Sequence, residues 1–187
     1  MINVVLDACV LYPPALRDLF MWLAVGVVYQ PHWTEEIHAE GMRNVLADNP
    51  EITSAQLERT RKLMDAINEE SLVTGYDKHL SSLTLPDPDD RHVLAAAIEA
   101  KASVIVTFNL SDFPTSALKP YNVRALHPDK YLTTLFDDAP ELFLAAVKEH
   151  RASLKRPPKT ADEYIETLTT NGLTKLAERL MSHRETF

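Results

Sequence analysis

The stretch INVVLD, residues 2–7, is short, apolar and valine-rich, and it ends on a carboxylate. It is too short for a helix and lacks polar alternation, so it reads as a strand buried on both faces, as in a parallel sheet. A second such run, SVIVTF at residues 103–108, is followed by the loop LSDFPTSALKP. Between the two, Pro13 and Pro14 start a helix over ALRDLFMWLAVG, with Leu16, Leu19, Phe20 and Leu23 at helical spacing and Gly26 as its stop. VVYQP (27–31) reads as a second strand, SLVTGY (71–76) as another short one, and NVRALH (122–127) as a last strand at the sheet edge. Strands alternating with helices predict an α/β fold of three layers around a central parallel sheet.

The helices announce themselves by their ends. One runs from Trp33 to Ala47 with Thr34 as its cap. After the turn DNPEIT, Thr53 and Gln56 form a capping box for another that reaches Asn68, giving a charged hairpin of two helices. In LPDPDDRHVLAAAIEAKA, Asp87 is an N-cap and Pro88 the first helical position. From Pro128 onward only helical periodicity remains, in PDKYLTTLFDD, PELFLAAVKEHRASL, TADEYIETLTTN and GLTKLAERLMSH, with Thr160 and Glu163 as a further capping box. The expected organisation is an α/β domain over residues 1–127 and an all-helical C-terminal extension over 128–187.

Composition narrows the function. The chain has 187 residues and a formal net charge of −8, with a pI near 5.3. That argues against a protein that coats nucleic acid by neutralising phosphates, and leaves room for an enzyme with a local basic rim. A single cysteine, Cys9, excludes an intramolecular disulfide and a Cys-rich zinc site. No apolar run approaches the roughly 20 residues that span a bilayer. MINVVLDACV has neither a basic n-region nor a cleavage site, so a cytoplasmic protein without a membrane partner is expected.

In an open parallel sheet, ligands bind beyond the carboxyl ends of the strands. Asp7 follows the first strand, and Asn109 and Asp112 follow SVIVTF, so all three belong at that edge. Asp90 and Glu36 lie in the first turns of helices whose N-termini reach the same edge. Gathered carboxylates repel one another, and an oxygen-only, cysteine-free donor set suits Mg2+ or Mn2+. Two such ions about 4 Å apart would activate water and stabilise the leaving oxygen of a phosphodiester. Asp7, Glu36, Asp90 and Asp112 are therefore the candidate catalytic and metal-holding residues.

Other readings compete for the neighbours of these acids. A helix cap explains Asp87, and Asp89 faces solvent; Glu35 lies further round its helix, and Glu40 is a supporting candidate. His92 reads as a helix-surface histidine, and Cys9 as a small buried residue beneath the site. The basic residues Lys148, Arg151, Lys155, Arg156 and Lys159, like Arg43, Arg59, Arg61 and Lys62 on the hairpin, read first as solvated faces, with RNA guidance as the alternative.

The strand–Asp7 unit, Glu36 on the second helix, Asp90 before HVLAAA, and Thr107-Phe108-Asn109 with Asp112 three further on resemble the PIN-domain nucleases, especially the VapC-type ribonuclease toxins of toxin–antitoxin modules. The resemblance spans roughly residues 2–127. It implies a Mg2+- or Mn2+-dependent endoribonuclease with an RNA substrate, dimeric in many members and blocked by a cognate antitoxin that reaches the active site. Asp7, Glu36, Asp90 and Asp112 match the acidic quartet, and Thr107 the hydroxyl residue that supports it. The chain departs from the pattern at Ala8 and Cys9, where many members have Thr-Asn or Thr-Ser, and at Asn109, where some have aspartate. Asn109 would act through water or a hydrogen bond to a neighbouring carboxylate. The helices after residue 127 resemble the C-terminal extension of a subgroup of these toxins. Two alternatives remain open at this point. One is a degenerate PIN fold that binds RNA or protein without catalysis. The other is a phosphatase of the haloacid-dehalogenase type, which wants a second aspartate where Cys9 stands.

Overall fold

The computed structural model describes residues 2–26 and 28–187. At its centre lies a parallel sheet of four strands in the order β2-β1-β3-β4: β1 Asn3–Leu6, β2 Gln30–His32, β3 Val104–Val106 and β4 Arg124–Leu126. Val4 pairs with Pro31 on one side and Val104 on the other, so β1 and β3 are the interior strands. Their residues Val4, Val5, Leu6, Val104, Ile105 and Val106 are buried, which explains their unbroken apolar runs. β4 is the edge strand that its sequence predicts.

The stretch 71–76 is no strand. It makes one bridge, in which Trp33 N–H donates to Ser71 O at 2.9 Å and Val73 N–H to Trp33 O at 2.8 Å. A turn from Asn68 to Ser71 precedes it, and Gly75, at φ +74°, turns the backbone away after it. The expected strand over 27–31 begins later, at Gln30; Val27 lies outside the described residues.

Eleven α-helices are assigned among the described residues. In the first half they are α1 Ala8–Leu11, α2 Pro14–Val25, α3 Glu35–Asp48, α4 Ser54–Asp65, α5 Asp77–Leu80, α6 Arg91–Glu99 and α7 Thr115–Leu118. The extension supplies α8 Pro128–Asp138, α9 Pro140–Ser153, α10 Ala161–Thr170 and α11 Thr174–Met181. The caps act as expected: Thr34 Oγ1 accepts from Ile37 N–H, and Thr53/Gln56 and Thr160/Glu163 close capping boxes. α4 stops short of Asn68, whose side chain instead donates to Gln30 Oε1 at 2.9 Å and accepts from Glu70 N–H at 2.9 Å. These bonds favour a turn over another helical residue.

A buried polar chain pins the α3–α4 hairpin to the core. Tyr12 Oη lies 3.0 Å from His38 Nδ1, His38 Nε2 lies 3.1 Å from Asp65 Oδ1, and Trp33 Nε1 donates to the same oxygen at 2.8 Å. The Tyr12 ring lies flat against Gly41, where a Cβ would come within 2.0 Å of it. Glycine thus lets α3 approach the end of β1.

The extension shares the core of the sheet domain. α2 packs against α9 and α10, and Phe143, Tyr164, Leu168 and Leu180 belong to the same apolar cluster as Val4 and Ile105. Asp129, at the start of α8, is buried and accepts from the N–H groups of Lys175 and Leu176 at 3.0 and 2.9 Å. This caps α11 from 46 residues away in sequence. The α10–α11 turn, at Gly172, meets Phe108, whose ring also stands edge-on to His127 at 4.9 Å. No helix among the described residues is long and apolar enough to cross a membrane.

Candidate active site

Asp7 is the first residue past β1 and also the N-cap of α1, a helix its apolar sequence did not announce. Its Oδ1 accepts from Ala8 N–H at 2.7 Å, and its Oδ2 accepts from Thr107 Oγ1 at 2.6 Å. Thr107, past the end of β3, therefore binds the first aspartate directly, and its hydroxyl also accepts from Asn109 N–H at 2.9 Å. Burial raises the Asp7 pKa above the ordinary carboxylate value, against the opposing pull of Thr107 and Cys9.

Cys9 does more than fill space. It is half-buried, and its Sγ donates to Asp7 Oδ2 at 3.2 Å, accepts from Phe108 N–H at 3.4 Å and lies 3.5 Å from Thr107 Oγ1. The thiol supplies a weak donor where a hydroxyl or amide donor would otherwise be sought. Burial, with Asp7 beside it, pushes the thiol up to about 12, so it stays protonated and able to donate.

Asp90 closes the 3-10 turn Pro88–Asp90 and stands at the N-cap position of α6. Burial pushes its pKa up to about 6, aided by the charges of Asp7, Asp112, Asp87 and Glu40. Four carboxylates from four parts of the chain thus act on one proton. Asp87 caps the turn, accepting from Asp89 N–H at 2.8 Å, and Asp89 is exposed. Asp112 ends the 3-10 turn Leu110–Asp112, and Asn109 sits at its head without a side-chain cap bond.

Of the three glutamates on α3, Glu40 is the one whose charge bears on both Asp7 and Asp90. Glu36 lies one helical turn away, more exposed, with its Oε2 3.4 Å from Tyr76 Oη. His92 separates them: buried rather than on the helix surface, it places Nε2 3.5 Å from Glu40 Oε2 and Nδ1 4.0 Å from Glu36 Oε2. Asp90 thus feels the charges of Asp7, Asp112 and Glu40, and Glu36 shares a cavity wall with Glu40 and Asp90. The spacing of Glu36 and Glu40, four residues on one helix face, carried the signal for Glu40.

The donors are carboxylate oxygens, the chemistry that Mg2+ and Mn2+ prefer. Among the described residues no three of His, Cys, Asp and Glu stand close enough to enclose a metal ion. Mg2+ keeps several waters and needs only one or two protein carboxylates beside a substrate phosphate. The mutual repulsion that raises Asp90 is what a divalent cation would relieve. The donor set fits such an ion.

Between α3 and the start of α6 opens a cavity of about 570 Å3, with Glu36, Glu40, Asp90 and His92 on its walls. A second, more apolar cavity of about 450 Å3 lies between α1 and the α3–α4 hairpin, lined by Cys9, Tyr12, Pro14, Val45 and Leu57.

A family model described as PIN domain matches residues 3–111, the stretch that carries the sheet through β3, Asp7, Glu40 and Asp90. The chain belongs to the PIN-domain family. A second model, described as VapC50 C-terminal domain, matches residues 128–182 of this PIN protein, the helices α8 to α11. The chain is 44% identical over 79 residues to a protein of Mycobacterium tuberculosis (strain ATCC 25618 / H37Rv) named "Putative ribonuclease VapC50". That match covers 42% of this chain and 47% of the relative, so the chain spans about half the length of the protein it matches. No solved structure matches the chain significantly.

Proposed function

We propose that this PIN protein is an endoribonuclease dependent on Mg2+ or Mn2+, the toxin of a toxin–antitoxin pair. The observation that carries the reading is Asp7 at the carboxyl end of β1, bonded to Thr107 just past β3, with Asp90 raised by burial and by the charges of Asp7, Asp112, Asp87 and Glu40. The 44% identity to a protein named as a ribonuclease supports the choice of RNA.

In this reading Asp7, Asp90, Asp112 and an α3 glutamate would hold a divalent ion, which would supply an acidified water and positive charge beside the phosphate. The chain's own groups prepare that site. Asp7 is held in one orientation by Ala8 N–H, Thr107 and Cys9, so its oxygens present fixed lone pairs. Asp90 and Asp112 add negative charge from the other side, and Glu40 completes the set from α3. Asn109, held near Asp7 through its backbone bond to Thr107, is a supporting residue. Glu36, at the rim, supports the cleft through Tyr76 and His92. The apolar cavity beside Cys9 and Tyr12 gives the antitoxin a surface that leads to the site. We place the functional division at 127/128, with the extension completing the core around α2.

Purified protein should cleave RNA in the presence of Mg2+ or Mn2+. Asp7→Asn and Asp90→Asn should each lower the rate at least a hundredfold while the circular dichroism spectrum stays unchanged. Wild-type rates from both variants would remove these acids from the reaction.

A further inference from the structure

The hairpin and α6 carry several arginines, and their surroundings separate them. Arg61 is committed to structure: it pairs with Glu35, with Glu58 at 3.6 Å and with Asp65 at 3.6 Å. In the extension, Arg151 Nη1 donates to Lys159 O at 2.8 Å, and Lys159 Nζ to Thr167 Oγ1, so both close the α9–α10 connection. Arg43 and Arg91 differ from these. Both line the 570 Å3 cavity next to Asp90, and among the described residues neither pairs with a carboxylate, although acids line the same cavity. Arg91 Nε donates to Pro88 O at 2.8 Å, which steadies its guanidinium and leaves its terminal N–H groups unassigned. Arg43 is exposed and lies three residues beyond Glu40, on the same side of α3 and one turn further along it.

We propose that Arg43 and Arg91 form a phosphate-binding pair for a nucleotide flanking the scissile one, so that the substrate backbone enters the cleft along this cavity. The inference rests on the nuclease reading above. Guanidinium groups bind phosphate oxygens in pairs of parallel hydrogen bonds, and do so better than lysine. The cavity wall carries no Phe, Tyr or Trp on which a base could stack. The pair itself grips backbone and reads no base. It also sets two positive charges among the carboxylates of the same wall, Glu36, Glu40, Asp87, Asp89 and Asp90, where a phosphate would otherwise meet only negative charge.

The test measures binding apart from cleavage. In an Asp7→Asn background, the affinity for a labelled single-stranded RNA of mixed sequence is followed across a salt series. The same measurement is made with Arg43→Ala, Arg91→Ala and Arg43→Lys, and with Arg59→Ala as a hairpin control outside the cavity. Each alanine variant should weaken binding about tenfold, for every RNA sequence alike. Each should also make the slope of log K against log salt shallower by roughly 0.7, the value for one lost contact on a single strand. Arg43→Lys should keep the slope and lose part of the affinity. Arg59→Ala should change neither. The Mn2+ affinity of Arg43→Ala and Arg91→Ala made in the wild-type chain, by calorimetry, should match that of wild type. Unchanged slope and affinity in both alanine variants, where the wild-type protein cleaves RNA, would overturn the pair and leave the nuclease reading standing. A wild-type protein that neither cleaves RNA nor binds Mn2+ overturns both.

Discussion

Asp90 occupies a helix start, where a carboxylate is ordinarily favoured as an anion, yet burial and four neighbouring carboxylates push its pKa up to about 6. A raised carboxyl pKa means that the folded protein binds the proton more tightly than the unfolded chain does. Stability of the metal-free protein should therefore rise as pH falls from 7 through 6, and level off near the ordinary aspartate value, below which both states are protonated. Asp7, raised by burial, contributes in the same direction. Thermal melts in chelator at pH 7.0 and 5.0 check this. Asp90→Asn should melt higher than wild type at pH 7 in chelator and lose most of the difference between the two pH values. Metal binding requires the charged carboxylates, so Mn2+ affinity should fall as pH drops below about 6. Glu36 and Glu40 of α3 give a second prediction. Glu40→Gln should weaken Mn2+ binding about tenfold or more in calorimetry, whereas Glu36→Gln should change it less than threefold. The reverse order would return Glu36 to the metal.

At the scale of the element, α3 meets Tyr12 in one especially close contact. Gly41→Ala would drive a methyl into the Tyr12 ring, and moving that ring breaks its 3.0 Å bond to His38. The expected loss is about 1–3 kcal/mol, typical of overpacking in a core. Tyr12→Leu should recover part of it in the double variant, a non-additivity that urea denaturation can measure. This contact also shows where the sequence stops being readable. Caps at Thr34, Thr53, Asp87 and Thr160 were legible because each is a local bargain between one side chain and nearby N–H groups. The strands β1 and β3 were legible because both faces are buried. How Glu36 and Glu40 share the cavity wall with His92 was not, since both lie on one helix face and their setting depends on contacts such as Tyr12 with Gly41, 29 positions apart. The helix α1 escaped for a related reason: four apolar residues, Ala8–Leu11, are too few to show a period. Cys9 and His92 were visible as residues, but their bonds to Asp7 and their position between the glutamates belong to tertiary structure.

For the molecule as a whole, Asp129 ties the extension together at the edge of the sheet domain. Asp129→Ala would leave two N–H groups at the start of α11 without their acceptor, the one at Leu176 fully buried. A loss of about 1–3 kcal/mol is expected, read as a lower thermal midpoint. Hydrogen exchange should show α11 opening first. The packing of α2 against the helices α9 and α10 has a further consequence, one of timing. During synthesis, everything that carries Asp7, Glu40, Asp90 and Asp112 leaves the ribosome before the helices that cover α2. At about 5–20 residues per second, the stretch from Pro128 to Met181 takes several seconds to make. For that interval α2 lacks the partners that α9 and α10 later supply. A nascent chain with its acids already made and its core still open is a natural client for a chaperone, and only release of the later helices turns it into a finished protein.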